Sequence, residues 1–129
     1  MSDPKQAQSM LHMAQKDLKA LKGMMDTLIF EDEIFGFHAQ QAIEKALKGL
    51  IALLGQEYPL THDISILLEF LESKDQNVEN YWDLVEFNAF AVQFRYEAFD
   101  ASEDPIDRTK TIQKIEELIR YFEELINSK

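Results

Sequence analysis

Apolar residues recur at steps of three and four along most of this chain, and that period selects helices before any other property is weighed. Ala7, Met10, Leu11, Ala14, Leu18, Leu21 and Met25 follow it near the start. Ile112, Ile115, Ile119, Phe122 and Ile126 form a heptad-like seam near the end. No stretch alternates with the period of a strand, and no segment repeats. Only four Gly and three Pro interrupt the 129 residues, so long elements and few tight turns are expected.

The boundaries follow from caps and breakers. Pro4 suits the first turn of a helix capped by Ser2 or Asp3, which then runs for about 20 residues. A second helix is predicted from near Glu33 to Leu54, with Glu31, Asp32 and Glu33 at its positive end, Gly55 closing it, and Gly36 and Gly49 as its weak points. Pro59 interrupts the chain, and Thr61 or Asp63 can cap a short third helix over Ile64–Leu71. Tyr81, Trp82, Leu84, Val85, Phe87, Phe90, Ala91 and Phe94 predict an aromatic-rich helix buried on much of its circumference. Pro105, capped by Asp104, is predicted to open the last helix. The expected architecture is one all-α domain spanning 1–129, an up-and-down bundle of about five helices.

A domain of this size buries roughly two thirds of the surface its unfolded chain exposes, so a core needs no staples. The absence of Cys excludes disulfides, thiolate zinc sites, iron–sulfur clusters and thiol catalysis. No apolar run approaches the roughly 18 residues of a membrane span, and the N-terminus has no basic-then-apolar leader pattern. The expectation is a soluble, unprocessed cytoplasmic protein. The net charge of −11 is unevenly spread, with residues 26–37 and 61–104 strongly acidic and 1–25 slightly basic. Any nucleic-acid surface must therefore be local, and Lys16, Lys19, Lys22, Lys45 and Lys48 are the only lysines dense enough to suggest one.

Three short segments offer polar groups beyond what a core requires. On the second helix His38, Gln41, Lys45 and Lys48 fall within an arc of about 80°, opposite the apolar face. His62 and Asp63 fall at a helix start, where Asp63 can cap and His62 can hydrogen-bond the loop. Arg95, the first arginine, lies between Phe94 and Tyr96 in an acidic and apolar region, placed to pair with Glu97 or Asp100 or to meet a phosphate or a partner.

Those segments, FHAQQAIEKALKGLI over 37–51, PLTHDISILLEFL over 59–71 and FRYEAFD over 94–100, together resemble the HEPN domain family, over nearly the whole chain. The resemblance implies a helical bundle that commonly forms a homodimer and is often encoded beside a minimal nucleotidyltransferase, its partner in a toxin–antitoxin-like complex. Many members are metal-independent RNases whose motif is an arginine followed after four to six residues by a histidine. There the imidazole moves a proton and the guanidinium stabilises phosphate charge. Here His12, His38 and His62 all precede Arg95, Arg108 and Arg120, so that motif is absent. The Arg95-Tyr96 pair is similar to a branch reading RYP, proposed to bind nucleotides or to serve as a nucleotidyltransferase partner, and Glu97 departs from its proline. By this carry-over His38, Gln41, Lys45, His62, Asp63, Arg95 and Tyr96 are the candidate binding or interaction residues. RNA is not the expected ligand, and the alternative is a divergent RNase using Arg95 with His38 or His62.

Other chemistries fail on spacing. A di-iron bundle needs a glutamate three residues before a histidine, and Ser9, Phe35 and Pro59 stand there instead. No phosphate loop, serine elbow or zinc-binding helix motif occurs. The sequence calls for no cofactor or metal.

Overall fold

The computed structural model describes residues 3–91 and 105–128. Among them the chain forms α1 (Pro4–Gly23), α2 (Asp32–Leu53), α3 (Ile64–Ser73), a 3₁₀ helix (Glu79–Phe90) and α4 (Arg108–Asn127), with no strand. This is the all-α bundle that the periodicity predicts. Asp3 caps α1 by accepting from the Gln6 N–H, and its own N–H donates to the Ala52 carbonyl near the end of α2. The first two helices are thereby antiparallel, and they share the most extensive interface in the molecule.

α2 is the axis of the bundle and packs on α1, α3, α4 and the 3₁₀ helix. Its small residues permit this. The ring of Phe90 lies against Gly36, and the ring of Phe122 against Gly49, so close that an added Cβ would collide with either. Gly36 and Gly49 are therefore not the weak points expected from helix propensity. They are the places where aromatic rings from other elements reach the α2 backbone. The helix closes as expected at Gly55 (φ 80°), with the Gln56 N–H donating to Ile51 and the Gly55 N–H to Ala52.

Two expectations are corrected. The aromatic-rich element is a 3₁₀ helix, whose three-residue turn stacks Tyr81, Leu84 and Phe87 on the buried side and Asn80, Asp83, Glu86 and Ala89 on the exposed one. It ends at Phe90, and Phe94 lies outside the described residues. The last helix begins at Arg108 under an Asp107 cap, not at Pro105 under Asp104. The reason is tertiary: Asp32 at the start of α2 accepts from the Ile106 N–H and from the Arg108 guanidinium, which pins the segment to α2 before the helix can open.

Candidate functional site

The polar face of α2 divides into two clusters, each centred on a carboxylate that the sequence reading did not single out. In the first, Asp17 of α1 faces α2 and receives both His38 and Lys45. His38 Nδ1 stands 3.3 Å from Asp17 Oδ1, and Lys45 Nζ is 3.1 Å from Oδ2. The two donors are seven residues apart on α2, so they lie on one stripe of that helix and share one acceptor. Phe37 meets the His38 ring edge to face.

The second cluster is more buried. Glu44, only 6 % exposed, accepts from Gln40 Nε2, from Lys48 Nζ at 2.7 Å and from His62 Nδ1 at 2.9 Å. Gln41 Nε2 donates to the side-chain Oε1 of Gln40, which turns the Gln40 side-chain amide N–H groups towards Glu44. Burial alone would raise the Glu44 pKa. The hydrogen bonds from Lys48, Gln40 and His62 and the Lys48 charge outweigh it, holding the carboxyl below its ordinary range. Lys48 also lies 5.2 Å from the centre of the Tyr58 ring, and Gln6 of α1 donates to the Tyr58 hydroxyl. The chain between α2 and α3 is thus fastened to α2 at Tyr58 and His62.

Asp63 belongs to neither cluster. It caps α3, accepting from the Ser65 backbone N–H, the Ser65 hydroxyl and Asn88 Nδ2 of the 3₁₀ helix, while Asn88 Oδ1 accepts from the Ile64 N–H. The Ser65 hydroxyl, helped by Asn88 and by backbone N–H groups and opposed by burial, lowers its pKa. The capping role read from the sequence stands for Asp63. His62 differs: it reaches across to Glu44 instead of bonding its own loop, because the turn places it over the middle of α2. Arg95 and Tyr96 lie outside the described residues.

The structure therefore brings His38 and Lys45 together through Asp17, and Gln41 and His62 together through Gln40 and Glu44. The residues that sequence reasoning missed carried a signal. Gln40 and Glu44 stand eight and four residues before Lys48, which the polar stripe already included, with glutamate before lysine in the favourable order, and Asp17 is the one carboxylate within α1. A further missed residue is Arg108, whose guanidinium is buried. It donates to the carbonyls of Met24 and Phe30 and to Asp32, and stacks 4.9 Å from the Phe35 ring centre. That arginine is a structural clamp between the α1–α2 connection and α4.

Chemically, these clusters position imidazoles and lysines against carboxylates. Among the described residues no group of three or more His, Asp or Glu is placed to hold a metal ion, and none of the described helices is long and apolar enough to cross a membrane.

Fold and site together define a helical bundle whose central helix carries internally paired polar clusters. The model of the HEPN domain family matches residues 7–129, and the chain belongs to that family. A search of curated proteins finds no match, and neither does a search of solved structures.

Proposed function

We propose that this chain is a non-catalytic HEPN module that acts by assembly, pairing with a second copy of itself and with a minimal nucleotidyltransferase in a toxin–antitoxin-like complex. One observation supports the reading above the rest: both histidines of the polar clusters are committed to carboxylates of the same chain, and neither follows an arginine. An RNase of this family needs an imidazole beside a guanidinium at a phosphodiester. A carboxylate in that position repels the phosphate. Lys45 and Lys48 are likewise paired, so a nucleotide bound through them would have to displace Asp17 or Glu44.

Co-expression with the nucleotidyltransferase encoded beside it, followed by size-exclusion chromatography with light scattering, tests the proposal. The expected outcome is a dimer alone and a stable complex with the partner. A monomer that forms no complex at micromolar concentration overturns it.

The divergent RNase remains the competing reading on one ground. A carboxylate on Nδ1 fixes the tautomer of His38 and of His62 and leaves Nε2 available for proton transfer. That reading requires RNA cleavage that disappears in Arg95→Ala and in His38→Ala or His62→Ala. Cleavage surviving Arg95→Ala removes the mechanism, and no cleavage removes the class.

A further inference from the structure

The outer edge of α1 differs in charge from the rest of the molecule. The helix carries four lysines against one aspartate in a chain of net charge −11. At ~100° per residue, Lys5, His12, Lys16 and Lys19 fall within an arc of about 60°, flanked by Gln8 and Ser9. All six are exposed, and they lie opposite the face that Ala7, Leu11, Ala14, Leu18 and Leu21 bury. The strip is roughly 21 Å long at the helical rise of ~1.5 Å per residue.

Two observations separate this edge from an ordinary solvated face. Among the described residues Lys5, Lys16 and Lys19 make no ion pair, whereas Lys22, Lys45 and Lys48 each pair with a carboxylate. The carboxylates that border the strip are also engaged: Asp17 by His38 and Lys45, Glu116 by Lys22, and Glu123 by Gln15. Among the described residues the strip is thus a row of unneutralised cations, and it keeps only Lys16 and Lys19 of the row that sequence density suggested. Within this arc it presents no large apolar side chain; Met13, 40 % exposed, borders it beside Ser9. A protein partner needs such an anchor, whereas a phosphate backbone needs only spaced positive charge.

We propose that the outer edge of α1 docks the phosphate backbone of a nucleic acid strand, without cleaving it. Lys5, Lys16 and Lys19 supply the charge, and Gln8 and Ser9 supply hydrogen bonds. The acidic remainder of the chain repels a polyanion and so confines contact to this edge. The inference is independent of the nucleotidyltransferase reading, since none of these residues belongs to the α2 clusters.

Fluorescence anisotropy with a labelled single-stranded RNA of about 20 nucleotides tests it. Three lysine contacts on a single strand predict that affinity falls roughly 20-fold between about 50 and about 200 mM salt, and that neutralising each lysine lowers the salt slope by roughly 0.7. The triple variant Lys5→Gln, Lys16→Gln, Lys19→Gln should lose this binding while keeping its helicity by circular dichroism, because glutamine is a good helix former and the three side chains are exposed. The corresponding triple arginine variant should bind as the parent does, and so should Lys110→Gln, an exposed lysine on α4. Four results would overturn the proposal: no binding at the low-salt end, unchanged binding in the triple glutamine variant, an equal loss in Lys110→Gln, or tighter binding to anionic lipid vesicles than to RNA.

Discussion

His62 and Glu44 are 18 residues apart in sequence and 2.9 Å apart in space, and their contact closes the turn before α3 onto the centre of α2. Glu44 also neutralises Lys48, whose side chain is 12 % exposed, so the pair is both buried and shared among elements.

Removing one member strands the other. Glu44→Ala leaves the Lys48 ammonium buried without its counter-charge and should cost about 3 kcal/mol in urea unfolding. The double variant Glu44→Leu, Lys48→Met should recover most of that loss, because an apolar pair of similar volume carries no desolvation penalty. A double variant no more stable than the single one would refute the assignment.

The same carboxylate sets an acid limit. Its pKa is lower in the folded protein than in the unfolded chain, so the folded state binds that proton less tightly. The stabilisation is complete above the ordinary carboxylate range and is lost as pH falls through it towards the lower folded value. Asp63 acts in the same direction. Unfolding free energy measured from neutral to acidic pH should fall in that window, and Glu44→Gln should flatten the fall.

The α3 cap is held from two elements. Asp63→Ala should cost about 1 kcal/mol as a lost N-cap, and Asn88→Ala a similar amount through the Ile64 N–H and the Asp63 carboxylate. The double variant should cost less than the sum, because the two residues share one interaction. Strict additivity in a double-mutant cycle would contradict the geometry.

Glycine and alanine should exchange roles between two positions. At Gly49 an added methyl meets the Phe122 ring and Met10 Cβ, so Gly49→Ala should destabilise by ~1–3 kcal/mol. At Gly23, the last residue of α1, nothing lies within 4 Å of the added atom, and Gly23→Ala should stabilise by ~0.4–1 kcal/mol. Thermal unfolding of the two variants reads both signs.

Asp75 follows α3 with φ 64°, in the left-handed region, while the Gln76 N–H donates to Leu71 and the Asp75 N–H to Glu72. This is the closure that Gly55 provides after α2, built here on a residue with a Cβ. Asp75→Gly should therefore raise stability by about 1 kcal/mol, or roughly 4 °C in Tm, at no cost to contacts.

The sequence by itself determined the elements that depend on neighbours in the chain. The three- and four-residue period, the Asp3 and Asp63 caps and the Gly55 stop are local, and α1, α2 and α3 appear within a few residues of where those signals place them. The family was legible for the same reason, since its segments lie in a fixed order along the chain. Only the tertiary structure decided what the polar residues do. Nothing near Asp17 in sequence indicates that His38 and Lys45 will share it. Nothing near Asp32 indicates that it will hold Ile106 and Arg108 and delay the start of α4. Helix propensity marks Gly36 and Gly49 as defects, and the rings of Phe90 and Phe122 make them necessary. The physical difference is one of range. Backbone hydrogen bonds and side-chain period act over a few residues and can be read along the chain, whereas the pairing of a buried charge depends on which helix is packed opposite.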